Sequence, residues 1–381
     1  MEKADASGGG GMKSFEYGDR EMSSTELFFS VASMILGLGI LTLPRGLTTT
    51  VPSSDGWICI VISGVIAMGI AWILAKLSAS FPQQTYVEFS ARLVGKPMAL
   101  GLAALFLVAY ICFASYEIRG AAEVSKQYLF KVTPVEVIGL VFTLVVVYGV
   151  CGTRIGLLRL NLLFYPIVFG VFLLMLAMNI NTFDWEHLKP MGVSHWKEIA
   201  LGTKESVFSY LGFEVILFYT AMMNRTEKVA QATVWGVGIT MVLYLLLFLF
   251  VVGAFSAEAT AQLTFPTVEL AKEIEVPGAI IERLESLFFT IWLMTIFNSA
   301  AMALDICATI VNAFVKVRNP KTVVFFLTPF IYFLAFFPDN LAELSDFGTF
   351  TSVADLTAGM LIPMVLYGIT KIKGVPGHGG N

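Results

Sequence analysis

Residues 34–47 read MILGLGILTLPRGL. The stretch is apolar enough to sit in a bilayer, yet it carries Gly37, Gly39 and Pro44. A helix in lipid satisfies its backbone N–H and C=O groups internally, so every interruption frees groups that lipid cannot satisfy. The purpose of such a break depends on what the rest of the chain places around it.

The rest of the chain is equally apolar. Of 381 residues, 57% are hydrophobic and 14% charged, and phenylalanine occurs 32 times. A soluble protein carries roughly a quarter charged residues, and the mean hydropathy of +0.79 is spread along the whole length. The composition indicates one integral domain surrounded by membrane lipid. The net charge of −4 resides mostly in loops, and no basic cluster points to nucleic acid. Cys59, Cys112, Cys151 and Cys307 lie in or beside apolar runs without a CxxC spacing, which fits buried free thiols. His187, His195 and His378 fall in loops or tails, so neither a metal site nor a cofactor is expected. No Ser/His/Asp or Cys/His set and no GxxxxGK[ST] sequence is present, and GLGIL is not GxGxxG. The sequence does not read as an enzyme.

Apolar runs of spanning length, about 20 residues each, occupy roughly 24–47, 57–79, 99–128, 134–151, 160–181, 205–223, 231–255, 284–313, 322–338 and 350–371. The expected fold is therefore an all-α polytopic membrane protein with ten transmembrane helices. Ten spans place both termini on one side. With that side cytoplasmic, Arg154, Arg159, Lys316, Arg318, Lys321, Lys371 and Lys373 lie in short inner segments, as the positive-inside rule requires. Residues 1–11, MEKADASGGGG, read as a tag or flexible linker and 374–381 as a flexible tail. Two outer loops are long, 182–204 and 256–282. The second carries Val268, Leu270, Ala271 and Ile274 at helical spacing, consistent with a short interfacial helix or a loop packed over the bundle.

The sixth run contains SVFSYLGFEVILFY, residues 206–219, with Gly212 at mid-span and Glu214 just after it. Breaks in the first and sixth helices divide the chain into two five-helix halves, 12–203 and 204–373. Interruptions at corresponding positions of two halves are the sequence pointer to an inverted-repeat transporter fold. Half-helix ends then offer N–H groups to a carboxylate and C=O groups to an ammonium, and an amino acid carries both. The competing reading of Gly37, Gly39 and Gly212 is close helix packing through small residues.

Ionisable residues inside the membrane cost at least ~2.5–3.5 kcal/mol each. The third run holds SYEIRGAAEV, where Glu117 and Arg119 are two apart; they cannot pair along one face, so each is expected to have its partner elsewhere. Glu117 is placed toward a cavity, Glu214 follows the sixth-helix break, and Asp305 lies near the inner end of the eighth helix with a structural role. Asn298 sits near the middle of that helix, either ligand-facing or joining helices, with Trp292 and Thr295 on adjoining turns.

At GLGILTLPRGL, SSDGWI, SYEIRGAAEV, SYLGFEVILF, ERLESLFFTIW and FFPDN the chain resembles the B subunit of the GerA-type spore germinant receptors, part of the amino acid–polyamine–organocation transporter superfamily. The resemblance runs from about Ser23 to Lys373. It implies a LeuT-like five-plus-five inverted repeat with broken first and sixth helices, residence in the spore inner membrane, and assembly with A and C subunits. It implies sensing of a small nutrient, often an amino acid, as the trigger for germination. Carried over residue by residue, the ligand site falls at Leu36, Gly37, Leu38, Gly39, Ile40 and Leu41 and at Tyr210, Leu211, Gly212, Phe213 and Glu214. Tyr110, Phe113 and Glu117 face it from the third helix, and Trp292, Thr295 and Asn298 from the eighth. Some transporters of the superfamily carry a lysine in the fifth helix as an ion substitute, whereas NLLFYPIVFGVFLLMLAMN has none. A working amino acid transporter, proton-coupled or facilitative, stays open as the second reading. A scaffold that binds no nutrient is the third.

Overall fold

A computed structural model describes residues 21–223, 225–274 and 284–374. The expectations for residues 1–11, for His378 and for the rest of the tail beyond Gly374 lie outside these.

The regular secondary structure of the described residues is helical, apart from one isolated bridge between Met22 and Met223. Ser23 starts α1 (Ser24–Leu36): its Oγ accepts from the Glu26 N–H at 3.2 Å, while the Glu26 carboxylate accepts from the Ser23 N–H at 2.6 Å. This capping box satisfies two of the donors that a helix start leaves open. At Gly37 and Leu38 the helix stops, and α2 (Gly39–Thr50) restarts at 50° to it. The first span is thus broken where the glycines stand. There follow α3 (Gly56–Ala79), α4 (Tyr86–Val94), α5 (Lys96–Tyr128), α6 (Val135–Val150) and α7 (Arg154–Met178). The second half comprises α8 (Trp196–Phe208), a non-helical turn, α9 (Ile216–Tyr219) flanked by 3₁₀ turns, α10 (Val229–Phe255), α11 (Ala257–Gln262), α12 (Pro266–Lys272), α13 (Leu284–Val315), α14 (Pro320–Ala335), α15 (Leu341–Asp355) and α16 (Ile362–Ile372).

Among the described residues six helices are long and apolar enough to cross a membrane, and the bent α1–α2 pair makes seven; Val135–Val150, Phe213–Met222 and Pro320–Ala335 are shorter apolar helices. This differs from ten full-length runs because breaks and loop ends consume part of each shorter run. Leu105, Val108, Val141, Leu144, Phe325, Phe330 and Phe333 are exposed on the outside of the bundle. Such an apolar exterior is what a hydrocarbon surround requires.

Two boundaries differ from the hydropathy reading. The helix before the second break begins at Trp196, inside the expected outer loop, because Glu198 accepts from the His195 N–H at 3.0 Å and caps a polar extension. The last span begins at Leu341, where Asn340 Oδ1 accepts from the Glu343 N–H at 3.0 Å. Neither extension is apolar, so hydropathy does not register them. Residues 256–274 settle between the two readings offered for them: α11 and α12 are short helices packed on α2, with Val268, Leu270 and Ala271 buried.

The core sits where α10 packs on α1 and α3 and where α13 packs on α5 and α7. Arg154 at the start of α7 holds Asp305 of α13 through Nε at 2.9 and 3.0 Å, the structural role expected for Asp305. Arg119 pairs with Glu123 one turn along its own helix, at 2.7 Å, so its partner is local and not elsewhere in the bundle. Cys59, Cys112 and Cys307 are buried free thiols and Cys151 is half-buried.

Candidate functional site

The break in the first span frees the Leu38 N–H and the Ile35 carbonyl, and Pro44, having no N–H, frees the Ile40 carbonyl one turn on; each of the three finds a side chain. The Leu38 N–H donates to Glu117 Oε1 at 3.0 Å. The Ile35 carbonyl accepts from the Tyr244 hydroxyl at 2.8 Å, and the Ile40 carbonyl from the Thr267 hydroxyl at 2.8 Å. Ser299 Oγ on α13 donates to the other Glu117 oxygen at 2.7 Å. A Cβ on Gly37 would stand 2.7 Å from Glu117 Oε1, inside van der Waals contact, so glycine is what lets the carboxylate reach the break.

The second break, residues 209–212, is held in the same manner. Gly212 has φ +120°, a conformation side-chain-bearing residues rarely take. Its N–H donates to Glu214 Oε2 at 2.9 Å, and the Tyr110 hydroxyl donates to Glu214 Oε1 at 2.7 Å. The Ser209 carbonyl accepts from the same Tyr244 hydroxyl at 3.1 Å. Tyr244 of α10 therefore joins the two breaks through one oxygen.

Between the first break and α13 lies a cavity of about 20 Å³, lined by Ile40, Thr267, Phe172, Phe288, Trp292 and Thr295 among others. That is space for about one water. Two buried polar atoms on this stretch of α13, Trp292 Nε1 and Asn298 Oδ1, have no hydrogen-bond partner among the described residues. An unsatisfied buried polar group costs about 1–3 kcal/mol. Asn298 uses its Nδ2 on Ser33 Oγ at 3.2 Å, and Thr295 Oγ1 donates to the Trp292 carbonyl at 2.5 Å.

The fold is shared with solved structures, one of them a manganese transporter of Eremococcus coleocola (TM-score 0.58, 15% identity, covering 89% of this chain and 78% of that one). MhsT, solved in complex with L-phenylalanine, superposes with a TM-score of 0.68 at 15% identity, covering 92% of this chain and 89% of that one. Among curated proteins, spore germination protein GerLB of Bacillus cereus is 35% identical over 97% of this chain and 99% of its own length. Spore germination protein YndE of Bacillus subtilis is 27% identical over 92% and 96%. The family described as "Spore germination protein" matches residues 21–344. The chain belongs to the spore germination protein family.

In this spore germination protein, the residues expected at the site do not form one pocket. Glu117, Gly37 and Leu38 meet at the first break, whereas Tyr110, Gly212 and Glu214 meet at the second. Trp292 and Thr295 line the cavity beside Ile40. Gly39 faces Tyr244 and Ser209 across the gap between the breaks. Leu36, Leu38, Leu41, Leu211 and Phe213 are buried among the core. Tyr210 turns its hydroxyl to the Ile60 carbonyl of α3 at 3.0 Å, and half-buried Phe113 stacks beside Tyr110, 6.1 Å between ring centres. Sequence reasoning does not single out Ser299, Tyr244, Thr267 or Asp355. Hydroxyl residues in apolar runs carry no distinguishing pattern. Asp355 does: it is an acidic residue inside an apolar run, the same signal that marks Glu117 and Glu214.

Proposed function

We propose that this protein is the nutrient-sensing membrane subunit of a spore germinant receptor, a ten-span, five-plus-five inverted repeat in the spore inner membrane with cytoplasmic termini. It binds a small germinant, an amino acid, at the paired breaks around Gly37–Gly39 and Gly212. It passes the resulting rearrangement to A and C subunits. The observation that carries this reading is the pairing of two held-open breaks, bridged by Tyr244, in a chain of the spore germination family with a transporter's architecture. The three shorter apolar helices supply the remaining crossings of the five-plus-five arrangement. The broken-helix donor at Leu38 already holds the Glu117 carboxylate. An incoming ammonium therefore meets Glu117, and an incoming carboxylate reaches Leu38 only as Glu117 moves aside. With about 20 Å³ free, an amino acid enters by displacing side chains, and this coupling of occupancy to rearrangement is what a receptor needs. A secondary amino acid transporter of the same fold is the second reading, favoured by the likeness to MhsT.

A thermal-shift screen of the purified protein against amino acids, nucleosides and sugars tests it. A true ligand at 100 times its Kd stabilises by about 2.7 kcal/mol. No shift with any amino acid refutes the ligand class. Uptake of the ligand by liposomes holding this chain alone favours the transporter.

A further inference from the structure

The last span is interrupted as well. After α15 the backbone widens into a π turn, Leu356–Leu361, before α16, and such turns recur at functional sites. Asp355 stands at its entrance, 1% exposed, and neither of its carboxyl oxygens has a hydrogen-bond donor among the described residues. Its neighbour is Glu214, itself fully buried. A Cβ built on Gly359 would lie 3.1 Å from the Glu214 carboxyl carbon and 3.2 Å from Asp355 Oδ1, so the two acids converge on one bare stretch of backbone.

Their hydrogen bonds are unequal. Glu214 accepts on both oxygens, from the Tyr110 hydroxyl and from the Gly212 N–H. Asp355 accepts nothing. The facing titratable group is Tyr110 of α5; α1 and α3, which pack on the turn that carries Glu214, bring no charged side chain to the pair, and no lysine, arginine or histidine pairs with either acid among the described residues. Two buried carboxylates side by side with no cation repel, and one proton between them removes both the repulsion and the unpartnered charge. We propose that Glu214 and Asp355 form a proton-binding site: one proton, taken from solution, resides on Asp355, whose O–H donates a hydrogen bond to Glu214, while Glu214 stays ionised, its charge stabilised by Tyr110 and Gly212. Glu214 belongs to the broken sixth span and Asp355 to the last, so occupancy of this site is tied to the spacing of the two. The pair shares Glu214 with the second break, where the germinant is proposed to bind, and its test needs no nutrient.

Infrared spectroscopy of the full chain in lipid nanodiscs reads the proton directly. At neutral pH the protein should show a protonated-carboxyl C=O band that moves when aspartate alone carries a ¹³C side-chain carboxyl. The band should be missing from Asp355→Asn and unaffected by added NaCl or KCl. The labelled wild type stands on its own if Asp355→Asn does not fold, because Asp55 and Asp305, the other buried aspartates among the described residues, are each supplied with N–H donors. Only ionised aspartate bands in the labelled wild type would overturn the proposal. So would a protonated band that persists in Asp355→Asn, or one that sodium abolishes, which would make the pair a metal-cation site.

Discussion

At the scale of single residues, Glu117 carries two duties that substitution separates. As a hydrogen-bond brace it accepts from the Leu38 N–H and from Ser299; as a charge it is the proposed partner of a germinant's ammonium. Glu117→Gln keeps an acceptor and removes the charge, so thermal stability should change little while nutrient response is lost. Glu117→Leu leaves the Leu38 donor and the Ser299 hydroxyl without their acceptor and should cost about 1–3 kcal/mol, measured by unfolding of the purified protein. Equal nutrient response in both variants would remove Glu117 from the site. Gly37→Ala tests the close approach: the new methyl meets the carboxylate at 2.7 Å and should push it off Leu38, with a loss of similar size.

Asp55 illustrates a residue with a purely local duty. It accepts from the N–H groups of Gly192, Val193 and Ser194 at 2.6, 2.9 and 2.9 Å, and so pins the 189–195 segment to the start of α3. Burial pushes its carboxyl up, but the N–H groups of Gly192, Ser194 and Val193 outweigh this and hold it below the usual carboxylate value. A depressed carboxyl stabilises the docked segment above its ordinary value of about 3.9 and loses that contribution as the pH falls through the lower folded-state value. Proteolysis of 189–195 should therefore be equally slow at pH 7 and pH 5, and Asp55→Asn should speed it at pH 7.

At the scale of elements, the account rests on the two breaks being one unit. Tyr244 makes them so by donating from a single hydroxyl to the Ile35 and Ser209 carbonyls. Tyr244→Phe keeps the ring and removes that hydroxyl, leaving two carbonyls short of a donor. Stability should fall by about 1–3 kcal/mol, and hydrogen exchange should rise in residues 35–41 and 209–214 together. A rise at one break alone would show that they move independently. Gly39→Leu meets the Tyr244 hydroxyl and Ser209 across the same gap, whereas any side chain at Gly212 adds strain at φ +120° to contact with the Met34 backbone at 3.2 Å. Gly39 is therefore the cleaner position for blocking the site without disturbing folding.

The breaks themselves are readable in the sequence, because Gly37, Gly39 and Gly212 stand in runs that otherwise have no reason to contain them. So are the acids at 117 and 214, since charge in an apolar run is expensive. What holds the breaks is not readable. Tyr244, Ser299 and Thr267 are ordinary hydroxyl residues whose roles depend on which face of which helix meets the freed carbonyls, and that is decided by packing over separations such as 209 and 227 residues. The helix starts at Trp196 and Leu341 escape hydropathy for another reason: they are set by caps, not by apolar length.

At the scale of the molecule, the apolar exterior and the long apolar helices place the protein in a membrane, and the orientation proposed for it is accessible to labelling. Val193 is exposed in the segment between α7 and α8. Val193→Cys should react with an impermeant maleimide from the outer face of intact vesicles. Reaction from the cytoplasmic face alone would invert the topology.

The central claim is that nutrient occupancy and the geometry of both breaks are one equilibrium. Hydrogen–deuterium exchange of the purified protein, with and without the amino acid that gives the largest thermal shift, measures this directly. The account predicts that exchange changes together at residues 35–41 and 209–214, and that Glu117→Gln abolishes the change at both. A bound amino acid that leaves both stretches unaltered, while protecting a surface elsewhere, would contradict it.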